Sequence, residues 1–115
     1  MAISIVNPSD WDITAPVVAG RHAGMTIHDQ HPFFRLLEIE PDSYIAPHSH
    51  SEAEIVVVLE GRMIFNGVWC EMGAVVHVPA NEDYWHATGD ERCVVGLIRP
   101  ATSGKIRYAE EVAAR

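Results

Sequence analysis

The residues of this sequence best suited to chemistry are its histidines. Seven occur in 115 residues, and two of them, His48 and His50, flank a single serine, with Glu54 following on. Alternate residues of a β-strand point to the same face, so His48, His50 and Glu54 share one side if this segment is extended. Same-face neighbours lie ~6.6 Å apart along a strand. Two imidazoles at that spacing can converge on one ion, whose ligating nitrogens sit at ~2.0–2.1 Å for zinc. Alone, His-x-His reads as two solvated surface histidines. Glu54 and the apolar strand after it shift the balance toward a metal centre, because a carboxylate on a buried face needs a charge or a metal to neutralise it. A salt bridge is the competing role for Glu54.

The elements that must position these groups are strands. Short runs rich in Val, Ile, Phe and Tyr recur between clusters of Gly, Pro, Asn and Asp, the rhythm of an all-β sandwich or barrel. Strands are expected near Met25–His28, Phe33–Ile39, Ser43–Ala46, Glu54–Leu59, Arg62–Phe65, Val68–Cys70, Ala74–Val78, Tyr84–Ala87 and Cys93–Arg99. Asn66-Gly67 between two apolar runs is a type I′ hairpin signature, since both residues tolerate positive φ. Within Glu54–Leu59, Val56 and Val58 share the parity of Glu54. Ile55, Val57 and Leu59 face the other way and are equally apolar, so a second sheet or a partner subunit should cover them. The first twenty or so residues, with Pro8, Pro16 and Gly20, read as an irregular arm. A loop at Ala101–Gly104 and a short helix over Tyr108–Arg115 are expected to follow the last strand.

From about Arg35 to Arg99 the chain resembles the cupin superfamily. That family's first motif reads G-x5-H-x-H-x3,4-E-x6-G, and His48, His50, Glu54 and Gly61 reproduce its spacing, with Asp42 in place of the leading glycine. The second motif reads G-x5-P-x-G-x2-H-x3-N, and Gly73 and Pro79 match it, with Asn81 replacing the second glycine. The family's fourth ligand position holds Tyr84; a histidine, His86, stands two residues later on the same strand face. The motif's final Asn is absent. Two arrangements follow. In one, His48, His50, Glu54 and His86 ligate and Tyr84 stands beside the metal as an acid/base group. In the other, Tyr84 faces the metal and His86 does not ligate. The first is favoured because imidazole is a far commoner ligand than phenol.

The resemblance implies one domain over residues 1–115: a small double-stranded β-helix, or jelly-roll, cupin barrel with its core at about 25–100, an irregular N-terminal arm and a short C-terminal extension. It also implies one divalent ion, with Fe, Zn, Mn and Ni all compatible with such a donor set. Family chemistry spans dioxygenases, decarboxylases, sugar isomerases, lyases and non-catalytic binding proteins, and the fold does not choose among them. The leading expectation is a metal-dependent enzyme of dioxygenase, lyase or isomerase type acting on a small, polar, oxygen-rich metabolite, with Tyr84 moving a proton. The alternatives are a ligand-binding or sensing cupin whose metal anchors a ligand or the fold, and an interaction module with no metal. Small cupins commonly pair through their sheets, so a homodimer is expected.

The remaining features are read more plainly. His77 is a core or surface histidine, and His22, His28 and His31 are exposed or locally bonded, with His28 and His31 alternatively lining the barrel mouth. Trp69 and Trp85 are packing residues, Trp85 pointing away from the metal, and Tyr44 and Phe65 are cavity walls. Cys70 and Cys93 form no CxxC pair and read as two buried thiols of a cytoplasmic protein, with Cys93 alternatively close to the metal. The formal charge of −8 disfavours nucleic acid and anionic membrane as partners. No apolar run reaches membrane-spanning length, and Met1–Asp10 lacks the pattern of a secretory signal. No GxSxG elbow, phosphate loop or HExxH motif occurs.

Overall fold

The computed structural model describes residues 32–100 throughout, together with Asn7 and the strands Asp12–Ile13, His22–His28 and Ile106–Tyr108. In chain order the strands are β1 (Asp12–Ile13), β2 (His22–His28), β3 (Phe33–Ile39), β4 (Tyr44–His50), β5 (Glu54–Glu60), β6 (Arg62–Phe65), β7 (Val68–Glu71), β8 (Val75–Val78), β9 (Tyr84–Ala87), β10 (Cys93–Arg99) and β11 (Ile106–Tyr108). They form an all-β fold of two antiparallel sheets. One has six strands in the order β1-β2-β3-β10-β5-β8, the other five in the order β11-β4-β9-β6-β7. The sheets are the two walls of a jelly roll, and their hydrogen bonding does not close into one continuous barrel.

Inward residues from both walls build the core: Ile39, Val58, Met63, Phe65, Cys93 and Val95 are among its members. Strand alternation accounts for this. Along β5, Glu54, Val56 and Val58 are buried while Ile55 and Leu59 are exposed. Val95 pairs with Val58 on one side and Leu37 on the other, so one inward row crosses β5, β10 and β3. The turns follow the residues able to take positive φ. Asn66 and Gly67 at φ 49° and 84° make the β6–β7 hairpin, and Asn66 also accepts the Trp85 backbone N–H at 2.8 Å. Asp42 and Asn81, the two replacements for cupin-motif glycines, take φ 57° and 64°.

Strand β4 runs to His50, beyond the expected end at Ala46. Pro47 sits where the β4–β9 register shifts, between Ile45 and His48. Proline has no N–H to give a ladder, and a bulge is where a strand tolerates it. Tyr108 lies in β11 rather than in a helix; the other expected helix residues, 109–115, and most of the expected arm and loop lie outside the described residues.

Candidate functional site

The inner face of the five-stranded sheet gathers the rings. His48 on β4 lies opposite Tyr84 on β9, and His86 on β9 lies opposite Phe65 on β6. Because β9 is extended, Tyr84 and His86 share a face. The centroid of His48 is 5.1 Å from His50, 4.4 Å from Tyr84 and 6.3 Å from His86. Phe65 stacks on Tyr84 at 4.9 Å and on His86 at 6.1 Å, so it forms a wall of the cluster as expected. His48, Tyr84 and His86 are buried, and His50 is half-buried.

Glu54 reaches this cluster from the other sheet. Tyr84 Oη donates to Glu54 Oε1 at 2.6 Å, and Arg99 donates from both Nε and an Nη to Oε2 at 2.9 Å. Both members of the ion pair are buried. The register makes the pairing: Leu97 lies opposite Val56, so two residues further along each strand Arg99 and Glu54 share the inward face. Arg99 also lies over Phe33, 5.0 Å from its centroid. Arg99 was no part of the expected site. The signal available was its position at the end of β10, in phase with Cys93 and Val95; nothing local in sequence shows which face of that strand turns inward.

The imidazoles are set up as neutral donors. His48 Nδ1 lies 2.8 Å from the Ala46 carbonyl, which assigns the proton to Nδ1 and the lone pair to Nε2. Burial lowers the pKa of His48, against opposing contributions from the Ala46 hydrogen bond and Glu54. His50 is pushed down to about 4, first by burial and further by Arg99 and His48, with Glu54 opposing. Rings that share one ion through nitrogens at ~2.0–2.1 Å have centroids roughly 4.5–6.4 Å apart, and the two separations between His48 and the other histidines fall in that range. The His48–His50 separation suits two neighbouring ligands of one ion, whereas that of His48 and His86 suits only rings almost opposite each other across it. The carboxylate is committed elsewhere, and among the described residues no group of three or more His, Cys, Asp or Glu stands in ligating geometry.

The other sequence expectations sort cleanly. Trp85 does point away from the cluster, and Tyr44 goes with it: their rings meet at 5.9 Å, so Tyr44 is not a wall of the site. Trp69 is 45% exposed rather than packed inside, because β7 is an edge strand; the Arg62 guanidinium covers its ring at 4.1 Å. His77 is a surface residue. Cys93 is a core thiol pushed up to about 11, chiefly by burial. Cys70 is only half-buried, not a core thiol, although the limited burial it has raises its pKa too. The side chains of His22 and His28, and all of His31, lie outside the described residues. Among the described residues no helix is long and apolar enough to cross a membrane.

Comparison with solved structures gives the same fold. The polyketide cyclase RemF from Streptomyces resistomycificus superposes with a TM-score of 0.81 at 19% identity, covering 94% of this chain and 86% of that one. A cupin-like protein from Thermotoga maritima superposes at 0.69 with 23% identity, covering 83% and 84%. KdgF from Halomonas sp. gives 0.69 at 18% identity, covering 87% and 94%. These likenesses show the fold, which is that of the cupin superfamily. No curated protein matches the chain. One family model matches residues 21–78, half of the 115 residues. The chain therefore belongs to the family described as "Domain of unknown function (DUF6016)" and is built on the cupin fold.

Proposed function

We propose that this protein is a metal-dependent cupin enzyme acting on a small, polar, oxygen-rich molecule. His48, His50 and His86 would hold one divalent ion, and Tyr84 would be the group that moves a proton. The observation that supports this reading is the gathering of three histidines around the buried Tyr84 phenol on one inner sheet face. The fold likeness to a polyketide cyclase supports an enzyme over a bare scaffold. A bound ion supplies Lewis-acid polarisation of a substrate oxygen.

The residues of the chain do the rest. The Ala46 carbonyl fixes the His48 tautomer, so the lone pair stays on Nε2. Tyr84 Oη keeps its hydrogen directed at Glu54 Oε1. When Oη receives a proton from the substrate, its own proton passes to Oε1. The phenol ends neutral, the carboxylate is protonated, and the electron pair stays on the substrate. Arg99 balances the carboxylate charge in a setting that excludes water. The apolar outer face of β5 and its neighbours is proposed as the surface that pairs two copies of the chain.

Elemental analysis of protein purified without metal supplements tests the centre. One metal per chain, lost or weakened in His86→Ala, supports it; no metal and none on reconstitution leaves a ligand-binding cupin. Tyr84→Phe separates the roles within it. Retained metal with turnover reduced on the order of 100-fold or more is expected, and unchanged turnover would remove Tyr84 from the chemistry.

A further inference from the structure

We propose that Arg99 is a positioning residue that completes a proton path through Tyr84 and Glu54, and that the chain assembles this path by itself, without a metal ion. The inference rests on the proton-moving half of the reading above, the role of Tyr84, and not on its metal half.

The donor set points this way. Among the described residues no group of three or more His, Cys, Asp or Glu stands in ligating geometry, and both oxygens of Glu54 are committed to other partners. A buried carboxylate needs a compensating charge beside it. In a metal centre the ion is that charge; here it is Arg99, which donates from Nε and an Nη to Oε2 at 2.9 Å.

Three strands make the path. Glu54 comes from β5 and Arg99 from β10 in one sheet, Tyr84 from β9 in the other. The fork of Arg99 occupies Oε2 and orients the carboxylate, which leaves Oε1 to accept from the Tyr84 hydroxyl at 2.6 Å. All three side chains are buried, and an aromatic ring holds each end: Phe65 stacks on Tyr84, and Phe33 lies beneath the guanidinium.

The charges balance without an ion. A substrate proton passes to Tyr84 Oη while the Tyr84 proton passes to Oε1, so two bonds to hydrogen break and two form. One negative charge moves from Glu54 to the substrate, which keeps the bonding pair. Arg99 offsets the carboxylate before the transfer, and its charge remains in the site to offset the substrate anion afterwards. A guanidinium does not give up its own proton, so it serves both stages.

Proton NMR of chelator-treated protein reads the path. A hydrogen shared between a buried phenol and a carboxylate exchanges slowly and resonates downfield of the backbone amides. One such signal is expected in the metal-stripped wild-type protein and is lost in Tyr84→Phe. Glu54→Gln loses it as well, because a carboxamide has a single oxygen and cannot accept from Arg99 and Tyr84 at opposite ends. Arg99→Met loses the signal while keeping the amide spectrum of the folded chain. Arg99→Lys, with the charge but not the fork, restores it with exchange about tenfold faster than in wild type.

A wild-type signal that appears only after zinc(II) or iron(II) is added would overturn the inference, as would a folded Arg99→Met protein that keeps the signal. If Arg99→Met does not fold, Arg99→Lys decides: exchange as slow as in wild type would remove Arg99 from the path. Turnover unchanged in Tyr84→Phe defeats the reading of Tyr84 as the proton mover, a result distinct from any of these.

Discussion

Burial of two histidines on one strand gives the metal-free protein a pH dependence of definite sign. His50 has its folded pKa pushed down to about 4, below the ordinary value of 6.5, and His48 moves in the same direction. The unfolded chain therefore takes up protons that the folded chain refuses. Their contribution to stability is complete above about pH 6.5 and is lost as pH falls toward 4. Urea midpoints of metal-stripped protein should fall steadily between about pH 7 and pH 4.5, and less steeply in His50→Gln. A flat midpoint across that window would contradict the buried placement of these rings. At this scale the sequence was informative where spacing is local. His48 and His50 are separated by one residue, and His86 follows the phase of Tyr84. It was silent on Arg99, whose partner lies 45 residues away and whose inward face is decided by sheet register. The sequence reading therefore gave a salt bridge as the competing role for Glu54 without a partner, and the fold supplies that partner in Arg99.

Strand identity follows from the alternation of apolar residues, strand ends from what the turns permit. Phe33–Ile39, Arg62–Phe65, Tyr84–Ala87 and Cys93–Arg99 are bounded as the sequence suggests. The two- and three-residue edge strands β1 and β11 were not legible, because pieces that short have no periodicity and exist only through their partners β2 and β4. The turn between β5 and β6 shows how tightly one position can be specified. Gly61 has φ +73°, and a Cβ there would lie 2.2 Å from the Arg92 carbonyl oxygen. Relief would require moving backbone that leads into β10, the strand carrying Arg99. Gly61→Ala should cost on the order of 3 kcal/mol, from left-handed strain together with the clash, and lower the melting temperature by roughly 10 °C or more. Gly67, with nothing within 4 Å of an added Cβ, is the control: its alanine variant carries the φ penalty alone and should melt well above Gly61→Ala. Equal losses at the two sites would mean that the Arg92 approach is not limiting.

The described residues form an apolar interior and, on the outer side of the six-stranded sheet, a second apolar surface that none of them covers. Ile55 and Ile98 lie opposite each other on β5 and β10, and Val57 lies opposite Val75 on β8. Ile55, Leu59, Val75 and Ile98 are all exposed, and Val75 retains 65% of its surface. Gly96 extends the patch: an added Cβ would meet Phe34 at 3.2 Å and Leu59 at 3.6 Å, so those side chains close over its backbone. Isolated exposed aliphatics need no explanation, whereas a contiguous run across neighbouring strands marks a contact surface. A net charge of −8 opposes self-association in general, so pairing must come from a surface as lightly charged as this one. Sedimentation equilibrium should therefore give twice the chain mass at micromolar concentration. The double variant Leu59→Lys/Val75→Lys should give the single-chain mass while still taking up one metal, since the site lies on the opposite face of β5. A single-chain mass for the wild-type protein would refute self-pairing through this sheet, and loss of metal together with the dimer would mean that the two faces are coupled through β5.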